Sequence, residues 1–262
     1  MKLACKSVQV GSKIVQTPSF LCSTRKGAVP HLMPYMVKSA EIIVNFDQLI
    51  DVYEKLWSED ETVEEVVKKA RLDNFALKEL VNSGEKTTVL QCLTPQAIGK
   101  VNDKYVCGQT EAGMKKVSLS HYATVIRNLK PTVAVGLSDL ASGSENRMRK
   151  AVRRNLAWLD ELLSETEMSS SLWASVVGGE SIACRLNSLQ ESLKRPVKGV
   201  VLEGTLNADL VKSMNLMDLT IPCYYSASSI QQILEFIPLG INLFDTKFAI
   251  CLTFQIDKQM ER

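Results

Sequence analysis

Short apolar, β-rich runs alternate along most of the chain with stretches whose apolar residues recur at helical spacing. Eight such runs stand out, at 19–24, 41–46, 88–93, 132–139, 172–179, 199–205, 220–226 and 241–246. The most β-like reads Thr132-Val133-Ala134-Val135-Gly136-Leu137-Ser138-Asp139, and its apolar centre suits a strand covered on both faces. Helical spacing appears over 147–163 (Val152, Leu156, Leu159, Leu163) and 182–193 (Leu186, Leu189, Leu193). It recurs over 228–237, where a capping serine precedes Ile230, Ile233 and Leu234, and over the charged region 59–82 with its acidic start at 59–65. Strand–helix alternation predicts a parallel sheet, and eight repeats favour closure. The expected class is α/β, a (β/α)8 TIM-type barrel forming one domain over 1–262. Ahead of it, 8–20 reads as a hairpin turning at Gly11-Ser12. Beyond Thr246 the pattern predicts another strand over 249–254 and no final helix, leaving an apolar wall at strands one and eight for a partner to cover.

Composition narrows the class without naming a function. With 262 residues, 45% hydrophobic and 23% charged, the chain can bury one sizeable core. A net charge of +2 does not announce a nucleic-acid binder, so any basic surface must be local. Seven cysteines without a C-x-x-C pair read as free thiols of a reducing compartment. The N-terminus lacks a signal-peptide core, and no segment nears the roughly 20 apolar residues of a membrane span, which predicts a cytoplasmic chain.

The candidate chemistry lies at the ends of the runs. Asp139 closes the fourth, Gly178-Gly179 the fifth, Glu203-Gly204 the sixth and Asp245 the eighth, so all are expected at one mouth of the barrel. A carboxylate there can equally cap a helix or pair with a neighbour, so for any single one the structural role has even weight with the functional one. Convergence with glycines that admit close backbone approach favours a binding site. His31 and His121, the two histidines, stand too far apart in sequence to suggest a catalytic triad or a metal cluster, and His121 sits at an expected helix start. No phosphate-cradling glycine loop occurs. Arg147, Arg149, Lys150, Arg153 and Arg154 form the one dense basic cluster; a solvated helix face is its ordinary explanation, and contact with nucleic acid or a partner the functional one.

The order of Thr17-Pro18-Ser19-Phe20-Leu21, Val176-Val177-Gly178-Gly179, Gly199-Val200-Val201-Leu202-Glu203-Gly204 and Gly240-Ile241-Asn242-Leu243-Phe244-Asp245 resembles the tRNA-guanine transglycosylases. Lys26-Gly27-Ala28-Val29-Pro30-His31-Leu32, Lys194-Arg195-Pro196-Val197-Lys198-Gly199 and Cys251-Leu252-Thr253-Phe254 are similar to the non-catalytic eukaryotic subunit of that family. The resemblance implies a barrel that serves exchange of guanine for queuine at the tRNA wobble position. It implies that Asp245 occupies the nucleophile position, that Asp139 faces the base, and that Gly178 and Gly179 flank it. The catalytic Asp-Ser-Gly-Gly-Phe-Gln motif of strand three is replaced by Val89-Leu90-Gln91-Cys92-Leu93-Thr94-Pro95, and the glutamine expected before the glycine pair is Val177. Asp245 is therefore expected to be unused. Zinc is implied by the resemblance, but its three-cysteine, one-histidine ligand set is absent from this chain, so no metal ligand is assigned. The expected role is a non-catalytic partner of the catalytic queuine tRNA-ribosyltransferase subunit in a heterodimer that binds tRNA. The resemblance also implies peripheral association with the mitochondrial outer surface through that complex. The rivals are an active homodimer with Asp245 as nucleophile and a shortened form that competes for the catalytic subunit.

Overall fold

The computed structural model describes residues 6–25, 28–30, 41–56, 87–92, 98–110, 113–165, 170–247 and 249. The helical pattern over 59–82, His31, Cys251 and the run 250–254 lie outside the described residues.

An antiparallel hairpin of β1 (Lys6–Val10) and β2 (Lys13–Thr17) precedes the first barrel strand, β3 (Ser19–Ser23). Then come β4 (Ile42–Asn45), α1 (Ile50–Leu56) and β5 (Thr88–Gln91). The chain next forms an antiparallel sheet of β6 (Ile98–Val101), β7 (Tyr105–Thr110) and β8 (Gly113–Ser118). The barrel resumes through α2 (Leu119–Leu129), β9 (Val133–Val135), α3 (Glu145–Ser164), β10 (Ser171–Val176) and α4 (Ile182–Leu193). It ends with β11 (Val200–Leu202), α5 (Ala208–Ser213), β12 (Cys223–Tyr225), α6 (Ile230–Phe236) and β13 (Leu243–Asp245). The eight strands β3-β4-β5-β9-β10-β11-β12-β13 are parallel and close on themselves, with Asp245 in register with Leu21. Each falls within one of the eight apolar runs, save that β10 starts one residue ahead of its run, and the expected (β/α)8 barrel is the architecture observed.

Two features differ from the sequence expectation. The sheet β6–β8 was not foreseen: its strands are short, and in β8 half-buried and exposed positions alternate, with Val117 alone buried, instead of forming an apolar run. Directly past β13, Lys247 and Ala249 are helical, Ala249 being the first residue of the strand expected over 249–254, and Ala249 N–H donates to the Thr246 carbonyl (3.1 Å). The cause is local. The Asp245 carboxylate accepts from Lys247 N–H at 3.0 Å, an Asx-type turn that bends the chain out of the sheet.

Side chains alternate across a strand, so residues two apart share a face. Every barrel strand sends an apolar residue into one interior cluster: Leu21, Ile43, Val89, Val133, Trp173, Val201, Tyr224 and Leu243. Val8 and Val10 of the hairpin join that cluster, so the hairpin plugs the barrel. The plug is at the N-terminal end, because Gly11 in its turn lies against Thr132, the residue before β9. Full burial of each valine stabilises by about 1.5–3 kcal/mol. A second, larger cluster fills the space between strands and helices, anchored by residues such as Leu90, Tyr122, Leu159, Val200 and Phe236.

Gly11 has φ of +62°, and an added Cβ would stand 2.1 Å from Thr132 Cγ2. Gly11→Ala is therefore expected to destabilise the fold by about 1–3 kcal/mol, through left-handed strain plus overpacking. Urea titration checks this, and Thr132→Ala in the same chain should recover the steric part alone.

Candidate functional site

The period of two also builds a polar layer above the apolar interior. Gln91 stands two residues beyond Val89, Glu203 two beyond Val201 and Asp245 two beyond Leu243, each at or just past a strand's C-terminal end. The layer is a real contact, since Gln91 Nε2 donates to Glu203 Oε1 at 2.9 Å across the barrel. A cavity of about 860 Å³ opens over it, lined among others by Gln91, Glu203, Arg185, Gly178, Gly179 and Tyr225. That volume suits a small-molecule site.

Asp139 does not line this cavity. It lies beyond β9, which ends at Val135; Gly136 N–H still bonds the Trp173 carbonyl before the chain leaves the sheet. The carboxylate is 1% exposed and receives both Nη atoms of Arg147 at 2.8 Å in bidentate fashion. Arg154 Nη1 also donates to it, while Arg154 Nε reaches Asp103 Oδ1 in the β6–β7 turn at 2.8 Å. The Asp139 backbone N–H donates to Asn155 Oδ1. Asp139, expected to face the base, has both carboxylate oxygens engaged by arginines of α3. Arg154 leaves the expected contact surface for the same reason, its side chain only 14% exposed. Arg149, Lys150 and Arg153 are exposed on α3, with Arg149 paired to Glu145 at 2.6 Å.

Asp245 is buried, accepts from the Tyr224 hydroxyl at 2.6 Å and from Lys247 N–H, and does not line the cavity. Burial holds its pKa above the ordinary carboxylate value, against the lowering effect of those donors. Gly178 and Gly179 do line it, at φ of +144° and +55°. Their lack of a side chain admits neighbouring elements: a Cβ on Gly178 would meet Arg185 N at 2.7 Å, and one on Gly179 the Met148 Sδ of α3 at 2.5 Å. The turn they form enters α4 at its cap, Ser181, which accepts from Cys184 N–H.

Glu203 is the carboxyl that reaches the cavity. It is 2% exposed, and burial raises its pKa to about 7, against the lowering influence of Gln91, Arg185 and Lys247. Arg185, fully buried in α4, donates from Nε to the Gly179 carbonyl (2.9 Å) and from Nη1 to the Val176 carbonyl (3.1 Å). Desolvation lowers its pKa to about 10. Sequence reasoning passed over Arg185, which reads there as one more polar residue of an amphipathic helix, and took Gln91 only as a lost aspartate. The step of two from Val89 and from Val201 is the signal that pairs Gln91 with Glu203.

Residues 4–255 match the family model described as queuine tRNA-ribosyltransferase. The chain belongs to the queuine tRNA-ribosyltransferase family. Within it, the chain is similar to proteins named queuine tRNA-ribosyltransferase accessory subunit 2. The Trichoplax adhaerens protein is 30% identical over 210 residues, covering 76% of this chain and 54% of that protein. The Xenopus tropicalis protein is 26% identical over 265 residues, covering 93% and 62%. The Homo sapiens protein is 27% identical over 284 residues, covering 96% and 66%. The chain thus spans about half to two thirds of the length of these relatives. Among the described residues, no group of three or more His, Cys, Asp or Glu side chains comes together to hold a metal ion. Cys92, Cys107, Cys184 and Cys223 form no disulfide there.

Two outcomes follow. Asp139→Asn leaves two guanidinium groups without their shared anion; because Arg147 remains 38% exposed, the expected loss is about 2–3 kcal/mol, below that of a wholly buried pair. A urea titration showing a change under about 0.5 kcal/mol would contradict the clamp. Glu203 keeps its proton in the folded chain up to about pH 7, whereas the unfolded carboxyl releases it near 4.5. Its contribution to stability is therefore present below the lower value and lost as pH rises through the upper one. Glu203→Gln should flatten the fall in stability across that window, a difference on the order of 3 kcal/mol by pH 8.

Proposed function

We propose that this chain is a non-catalytic subunit of queuine tRNA-ribosyltransferase. In this reading it pairs with the catalytic subunit and supports exchange of guanine for queuine at the tRNA wobble position. The observation that carries the reading is the tip of β5, where Gln91, bonded to Glu203, stands in place of a carboxylate free to move a proton. The state of Asp245 supports it. Attack on a ribose anomeric carbon needs an ionised carboxylate open to the sugar, and Asp245 is buried and hydrogen-bonded by the Tyr224 hydroxyl. The names of the similar proteins point the same way.

In this reading the barrel contributes surface instead of chemistry. Arg149, Lys150 and Arg153 on the outer face of α3 are the cations left to meet tRNA phosphates or the partner, Arg147 and Arg154 being held by Asp139. The zinc implied for the family would be held by residues other than those described. Work in the cytoplasm, with attachment to the mitochondrial outer surface through the complex, belongs to the same proposal.

The test is exchange of labelled base into cognate tRNA by this chain, by the catalytic subunit, and by the two together. Activity in the mixture alone, changed less than about twofold by Asp245→Ala, is the expected result. Exchange by this chain alone that Asp245→Ala abolishes would instead establish the active homodimer.

A further inference from the structure

Attachment of the inserted sheet to α3 brings two sets of exposed cations side by side. The two faces of that sheet differ. Inward, Val106 and Val117 are fully buried as a cross-strand pair, and Lys115 is paired with Glu54 of α1 at 2.6 Å. Outward, Lys116 is exposed, stands in register with Cys107, and holds its Nζ 5.0 Å from the centre of the Tyr105 ring. Lys104, also exposed, lies in the β6–β7 turn, where Asn102 Oδ1 accepts from the backbone N–H of Lys104 (2.9 Å) and of Tyr105 (3.0 Å).

That turn is fixed against α3. Arg154 Nε donates to Asp103 Oδ1 at 2.8 Å, and Trp158 Nε1 to the Asp103 carbonyl at 3.2 Å. Lys104 therefore adjoins the helix on which Arg153 stands next to Arg154 and Lys150 one turn before it, both exposed. Two carboxylates sit among these groups, and both are taken, Asp103 by Arg154 and Glu145 by Arg149. Among the described residues, Lys104, Lys116, Lys150 and Arg153 have no carboxylate partner. The row crosses two elements joined by hydrogen bonds, so its charges are held at a set spacing.

We infer that this surface, Lys150 and Arg153 of α3 continued by Lys104 and Lys116 of the inserted sheet, binds the sugar–phosphate backbone of a folded RNA. The inference rests on the reading of this chain as a subunit that handles tRNA, and it adds a contact on the inserted sheet. Cations without acid partners displace counterions from a phosphate chain and need no particular base, so the contact positions RNA without choosing its sequence. An acidic peptide is anchored chiefly by aromatic or aliphatic side chains seated in pockets, and the ring on this face, Tyr105, is already covered by Lys116.

Fluorescence anisotropy of labelled cognate tRNA with this chain alone, over about 50 to 200 mM KCl, tests the surface. Lys104→Gln with Lys116→Gln should weaken binding about tenfold and lower the slope of log affinity against log salt by about one to two, as should Lys150→Gln with Arg153→Gln. Lys194→Gln with Lys212→Gln, which removes two cations paired on other helices, should change affinity less than about twofold. All these lysines and the arginine are exposed, and circular dichroism verifies each fold. Affinity and slope left unchanged by the sheet pair would overturn the surface. So would an equal loss in the Lys194/Lys212 variant, which would leave only diffuse charge. Poly-glutamate that displaces labelled tRNA as well as an equal charge of unlabelled tRNA would contradict it too, assigning the surface to an acidic protein. In the mixed complex the sheet pair should raise KM for tRNA and keep kcat. Exchange by the mixture with no tRNA binding by this chain would sink the surface and leave the accessory-subunit reading standing; binding without exchange would do the reverse.

Discussion

Two guanidinium groups on one buried carboxylate decide what the mouth of this barrel can offer. Asp139 takes a bidentate pair from Arg147 and a further bond from Arg154, and both arginines lie on α3. The helix is thereby fixed over the strand ends, with Met148 against Gly179 and Glu145 at the cavity. Through Arg154 and Trp158, which both bond Asp103, the same helix holds the turn of the inserted sheet. Removing the anion would unsettle all of these together, since two partly buried guanidinium groups would lose the carboxylate that orients them.

A closed parallel barrel brings its strand tips together, so carboxylates placed there must each be paired, shared or neutralised. This chain uses all three solutions. Asp139 is paired, Asp245 shares its charge with the Tyr224 hydroxyl and a backbone amide, and Glu203 is pushed toward its protonated form. The apolar interior below, sealed by Val8 and Val10, supplies the low dielectric that makes the choice necessary. Glu203 is the one of the three that lines the open space, and it does so from the sixth barrel strand.

The barrel was legible because its strands are buried on both faces and so read as continuous apolar runs, Val133–Val135 most plainly. The hairpin was legible from Gly11. The inserted sheet was not, since its strands are short and β8 exposes one face, with the alternation that short polar segments share with loops. At the site, position could be read but not state. That Asp139 ends an apolar run follows from sequence; that Arg147 and Arg154 reach it depends on the angle at which α3 returns over the barrel. Arg185 was hidden by its helix, because nothing in the pattern tells an inward polar residue from a solvated one until the cavity exists.

In the proposed account this chain lends its barrel to base exchange without forming the bond to RNA. Carboxylate attack on the anomeric carbon leaves an ester between protein and ribose, so the chain that reacts becomes covalently linked to labelled tRNA. The most direct measurement is a denaturing gel of the mixed subunits quenched during turnover. The account predicts that label migrates with the catalytic subunit and not with this chain. Label carried by this chain, and lost on Asp245→Asn, would contradict it.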